Sequence, residues 1–137
     1  MDIAVTGSTG FIGRALVASL EADGHRVVPV VRRAGTPGAV LWDPAEGTIV
    51  AEGLEGLDAV VHLAGEGIAT GPWTEAQRRR IHDSRRQGTT VLATALAGLS
   101  RPPAVLVSSS GINYYGDRGD DVVDEAEPAG SGFLARV

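Results

Sequence analysis

At 137 residues, the chain has the length of one domain and can bury a real core. Its 43% hydrophobic and 21% charged residues are ordinary for a soluble globular protein, and its net charge of −5 argues against a nucleic-acid backbone as the main partner. The lack of cysteine excludes disulfides and thiolate metal sites, and no apolar run approaches the ~20 residues of a membrane span.

The elements alternate along the chain. "DIAVT" (Asp2–Thr6) is a short apolar run ending at glycine, the mark of a strand buried on both faces. "GFIGRALVASLEADG" follows at helical spacing, with Ile12, Leu16, Val17 and Leu20 on one face and Gly24 placed for a C-cap. "HRVVPVVRR" reads as a second buried strand, although Pro29 removes one ladder donor. "AVLWD" suggests a short third strand and "DAVVHLAG" (Asp58–Gly65) a strong further one. A long helix with the basic face "EAQRRRIHDSRR" runs through "GTTVLATALAGL" to about Leu99, and "PAVLVSSS" (Pro103–Ser110) is another buried strand. From Gly111 onward the chain is polar, rich in Gly and Asp, and reads as loop. Strands separated by helices predict βαβ units, and so an α/β fold with a doubly wound parallel sheet.

Gly7, Gly10 and Gly13 stand three residues apart where the first strand gives way to the first helix. Such a turn offers free backbone N–H groups and the positive end of a helix dipole, which suits a pyrophosphate. A side chain at Gly7 would obstruct the turn, and one at Gly10 would hold a diphosphate away from the backbone. One at Gly13 would push the helix off the sheet. The alternative is a tight turn with no ligand. After the second strand come Arg32 and Arg33, with no acidic residue until Asp43. An acidic residue there would hold the ribose hydroxyls of NAD; arginine suits the extra phosphate of NADP. NADPH is therefore the expected cofactor and NAD the alternative, with a solvated arginine pair as the reading without a ligand. A satisfied core residue is the expectation for His62. Glu66 reads equally as cofactor-facing or as a rim carboxylate.

"TGSTGFIG", "DAVVHLAGE" and "VLVSSSGINYYGD" resemble the extended short-chain dehydrogenase/reductase superfamily. "WTEAQRRRIHDSR" followed by "YYGD" is similar to one subgroup, the atypical epimerase-like proteins known as NAD-dependent epimerase/dehydratase or cell-division-inhibitor-like. The resemblance runs the whole length of the chain but covers only the first half of that fold. The chain, residues 1–137, is thus expected to be a dinucleotide-binding domain cut before its later strands and substrate lobe.

The resemblance implies that Gly7, Thr9, Gly10, Phe11, Ile12 and Gly13 cradle the diphosphate, with Arg32 and Arg33 at the 2′-phosphate end. Leu63, Ala64 and Gly65 stand where the family's backbone passes the adenosine ribose and diphosphate. Arg85 falls where many extended members place an active-site Asn, and the resemblance turns it toward the cofactor; a solvated helix-face charge is the alternative. Ser110 matches the hydroxyl that polarises a substrate carbonyl, unless it only satisfies a strand end. The superfamily's Tyr-x-x-x-Lys pair has no counterpart: the region reads "GSGFLARV", with Phe133 or Leu134 near the Tyr position. Tyr114 and Tyr115 come too early, and packing with hydrogen-bonded phenol tips is their expected role. An NADP(H)-dependent epimerase or oxidoreductase acting on a nucleotide-linked sugar, without turnover by this chain alone, is the first expectation. A non-catalytic dinucleotide-binding module is the second. No metal, nucleic acid or membrane is expected as a partner, the cytoplasm is the expected compartment, and self-association through an open sheet edge is expected.

Overall fold

A strand at the centre of a parallel sheet needs side chains that can be buried on both faces. β1 (Asp2–Thr6) supplies them: in the computed structural model, which describes all residues from Met1 to Val137, its last four residues are fully buried. It pairs in parallel with β2 (Arg26–Val31) on one side and with β5 (Ala59–His62) on the other. β3 (Val40–Asp43) extends the parallel ladder beyond β2, and β6 (Val105–Ser108) extends it beyond β5. A two-residue strand, β4 (Thr48–Ile49), closes one edge antiparallel to β3. The order is therefore β4-β3-β2-β1-β5-β6. The chain winds outward from β1 and then re-enters on its far side through β5, so the topological switch point lies between β1 and β5. This is the Rossmann-like, mostly parallel sheet that the alternation predicts.

Each helix is bounded by local chemistry. α1 (Phe11–Ala22) ends in a Schellman motif: Gly24, at φ 78°, donates to Glu21 O at 3.0 Å, and His25 N–H donates to Leu20 O at 3.0 Å. α2 (Glu75–Ala97) begins at Thr74, whose hydroxyl accepts from Gln77 N–H at 3.2 Å. Leu92 and Leu96 of α2 pack with Val28, Val30, Trp42 and Leu54 into the main core. No helix is long and apolar enough to cross a membrane.

Three expectations change. Ile12 is 63% exposed, not packed with Leu16, Val17 and Leu20, because no element covers the first turn of α1. β6, expected to be buried, is exposed along its whole length, because it is the sheet's last strand and no helix lies over it. The region read as loop also forms two short elements, a 3₁₀ turn (Ile112–Tyr114) and α3 (Phe133–Arg136). Neither has a sequence period to announce it.

Open edges template further pairing. Light scattering should show the average mass of the chain rising with concentration, and Val107→Lys, which puts a charge on the edge strand, should hold it closer to the monomer. A monomer mass for the wild type across the whole range would show that the edge is inert.

Candidate functional site

The glycine turn sits at the switch point, and its three glycines stand in different surroundings. Gly7 has φ 68°, and a Cβ on it would lie 3.0 Å from both Ala64 N and Leu63 C, on the backbone leaving β5. Gly13 has no room at all: its Cβ would stand 2.1 Å from the Gly7 carbonyl oxygen. The collision is with the turn itself, not with the sheet as the sequence suggested. Gly10 differs from both. It is the N-cap of α1 at φ −72°, and a Cβ would meet only the Gly7 carbonyl oxygen, at 3.1 Å. The remaining space beside it is open.

No side chain caps α1. Gly10 N–H donates to Gly7 O and Arg14 N–H to Gly10 O, while the N–H groups of Phe11, Ile12 and Gly13 have no partner. Those are the orphan donors of a helix start, pointed past the carboxyl end of β1. Thr9 and Phe11 are exposed beside them. Arg32 and Arg33 follow β2 directly, both exposed and neither in an ion pair.

The other wall of the switch point is tied to the first by one hydroxyl. Thr6 Oγ1 accepts from Leu63 N–H and from Ala64 N–H, each at 3.1 Å, and lies 2.7 Å from His62 Nδ1. Two accepted bonds occupy both hydroxyl lone pairs, so the hydroxyl proton goes to Nδ1. His62 is thereby assigned as the neutral imidazole protonated on Nε2. Burial pushes its pKa below the ordinary value in the same direction, and the ring edge-packs on Trp42 at 5.9 Å. His62 is buried as expected and is held through Nδ1, while one edge of the residue lines the cleft.

A cleft of about 790 Å³ opens between the exits of β5 and β6, α2 and the C-terminal segment. It brings together Leu63, Ala64, Gly65, Arg85 and Ser110, whereas the glycine turn and the arginines after β2 lie outside it, across the β5 exit. Arg85 is half-buried, donates from Nη1 to Glu66 O at 3.1 Å and to Ile81 O at 3.2 Å, and packs against Gly65. It is not a freely solvated charge. Ser110 is exposed with no bond from its hydroxyl, just past the point where Ser109 N–H extends the ladder to His62 O at 2.9 Å. No cluster of three acidic or histidine side chains is placed to hold a metal.

The sequence matches the NAD dependent epimerase/dehydratase family over residues 3–133. The chain belongs to this family. An epimerase family protein of Mycobacterium tuberculosis, MT2273, is 42% identical over 136 residues, which are 98% of this chain and 44% of that protein. The structure of human epimerase family protein SDR39U1 with NADPH superposes with a TM-score of 0.85 at 36% identity, covering 99% of this chain and 45% of that one. A nucleoside-diphosphate sugar epimerase from Corynebacterium glutamicum gives a TM-score of 0.83 at 36% identity, over 99% and 28% of the two chains. The chain thus spans less than half the length of the curated relatives it matches.

Within this epimerase-family chain, the "GSGFLARV" segment packs through its one aromatic residue. The Phe133 ring meets Trp73 edge-on at 5.7 Å, with the Arg78 guanidinium 5.6 Å from its centroid, while Leu134 lines the cleft. Tyr114 and Tyr115 do pack against each other, at 5.1 Å, but their phenols make no hydrogen bond. The loop is held instead through main chain, with Gly130 N–H donating to Tyr114 O at 2.8 Å. Glu66 is a rim carboxylate paired with Arg80 at 3.7 Å. Sequence reasoning missed Thr6 and Gln77. For Gln77 a signal existed, the Thr-x-x-Gln pattern of a capping box at Thr74–Gln77.

The His62 assignment carries a sign. Its folded pKa lies below the ordinary 6.5, so under that pH the unfolded chain binds a proton that the folded chain refuses. Urea denaturation should show stability falling as pH drops below about 6.5 and level above it, by at most ~1.4 kcal/mol per pH unit from this group. His62→Gln should flatten that slope. Thr6→Val, which strands two backbone donors, should cost about 1–3 kcal/mol at neutral pH.

Proposed function

We propose that this chain is the dinucleotide-binding portion of an NADP(H)-dependent epimerase or oxidoreductase, and that it holds the cofactor without turnover of its own. The observation that carries this reading is the uncapped start of α1. Three unpaired N–H groups, an open space beside Gly10 and a positive dipole end meet at the switch point of a parallel sheet. A diphosphate fits that space because a Cβ at Gly10 would project into it. Gly7, Thr9, Gly10, Phe11, Ile12 and Gly13 would hold the diphosphate, with Leu63, Ala64 and Gly65 forming the opposite wall. Arg32 and Arg33 are free cations at the end of β2, where a 2′-phosphate would be recognised, and the human relative was crystallised with NADPH. When bound, the nicotinamide supplies hydride chemistry.

A nucleotide-linked sugar is the proposed substrate class, supported by the Corynebacterium relative. The second reading, a non-catalytic dinucleotide module, is supported by Phe133, which stands near the position of the resemblance's tyrosine and is engaged with Trp73 and Arg78. Ser110 and Arg85 remain in the cleft as groups able to polarise a carbonyl, and His82 and Tyr114 line the same cleft.

Calorimetric titration tests the binding. NADPH should bind more tightly than NADH by roughly ten- to hundredfold, the worth of a charged phosphate contact of ~1.5–3 kcal/mol. Arg32→Ala should erase the preference, and Gly10→Val should abolish binding of both while the circular dichroism spectrum persists. Equal affinities in the wild type would sink the NADPH assignment.

Assays of NADPH oxidation against sugar nucleotides and small carbonyls should show no turnover by the 137-residue chain beside a full-length relative. General acid–base catalysis alone contributes ~10²–10⁴-fold, and positioning by a substrate lobe adds more. Turnover near that of the control would mean that Ser110 and Arg85 assemble a working site.

A further inference from the structure

Gln77, Arg80, Ser84 and Arg85 lie on one face of α2 and converge on one residue outside it, Glu66. Ser84 Oγ accepts from Glu66 N–H at 2.9 Å and donates to Ile81 O at 3.0 Å, so its proton is already committed. Arg85 Nη1 donates to Glu66 O at 3.1 Å, and Arg80 pairs with the Glu66 carboxylate. Gln77, only 5% exposed, donates from Nε2 to Gly67 O and to Thr70 Oγ1, each at 3.2 Å, and its Oε1 accepts from Arg80. The face that reads in the sequence as a run of solvated charge is a clamp on the β5–α2 connection.

The clamp has a directional consequence. Glu66 N–H belongs to the peptide plane shared with Gly65, and Glu66 C=O to the plane shared with Gly67. Both planes are trans, so in each the N–H and C=O point in opposite directions. With Glu66 N–H and C=O both drawn to α2, the Gly65 carbonyl and the Gly67 N–H point away from it. Neither has a partner, and both glycines are exposed in the cleft wall.

We propose that Ser84 is a positioning residue, which together with the Arg85 bond to Glu66 O holds Gly65 C=O and Gly67 N–H as a preformed acceptor and donor for the dinucleotide. The ligand group that matches is one that donates and accepts at once, a ribose hydroxyl being the fit in a dinucleotide. Pre-orientation matters because a mobile glycine pair would have to be ordered at the moment of binding. The inference rests on the dinucleotide reading above, and it assigns work to a residue that touches no ligand.

The test uses the 137-residue chain with NADPH and NADH as probes. Ser84→Ala should weaken both by a similar factor, about fivefold for one neutral hydrogen bond, leaving their ratio unchanged, whereas Arg32→Ala changes the ratio. Ser84→Thr, which keeps the hydroxyl, should restore the affinity. Amide exchange in the wild type gives an independent readout: Glu66 N–H protected without ligand, and Gly67 N–H fast until NADPH slows it. That readout stands even where Ser84→Ala fails to fold. Binding by the wild type with Gly67 left fast, or unaltered binding by a folded Ser84→Ala, would overturn the clamp alone. No binding of NADPH by the wild type would overturn the dinucleotide reading, and this inference with it.

Discussion

The hydroxyl of Thr6 joins the two walls of the switch point. It sits at the last residue of the central strand, accepts two backbone N–H groups from the exit of β5, and donates to the imidazole of His62. Leu63 and Ala64 are thereby held against Gly7, so closely that Gly7 can carry no side chain. Had those N–H groups bonded to water or elsewhere, the crevice would have no defined width. A buried polar triad of this kind is worth more for orientation than for net stability, since hydrogen bonds exchange with water at little gain. Its removal is costly because the partners are left stranded.

The two helices flanking that crevice are built in opposite ways. α2 starts with a Thr cap, and its inner face is spent on hydrogen bonds to the preceding loop. α1 starts on a bare glycine, with its first donors unpaired and its first turn exposed. A glycine N-cap costs only a few tenths of a kcal/mol relative to Ser, Thr, Asp or Asn, but it leaves the first donors free, and a bound anion is stabilised by those donors and the helix dipole. The contrast leaves the unpaired donors on the α1 side of the crevice and the rigid wall on the α2 side.

The sheet is finished on one edge and not on the other. β4 and the packed core close the β3 side, whereas β6 presents Val105, Leu106 and Val107 to solvent. The cleft beneath α2 opens on that same unfinished side, with Ser110 at its rim. An exposed apolar edge therefore lies next to an open cleft.

The sequence alone determined the fold class, the place of the glycine turn and the family, because each is local or periodic. Short apolar runs ending in glycine, a 3.6-residue period and three glycines at fixed spacing are all readable one residue at a time. Even the C-cap at Gly24 was legible, since only a positive φ makes glycine the natural residue there. Tertiary structure decided what depends on residues far apart in the chain. Thr6 is 56 residues from His62, and nothing in "VTG" or "VVHLAG" says that they share a proton. The exposure of β6 depends on what lies over it and not on its own apolar letters. The basic run of α2 is displayed by the sequence only as a charged helix face. It became a clamp only when the turn after β5 folded back beneath it and offered Glu66 to its inner face.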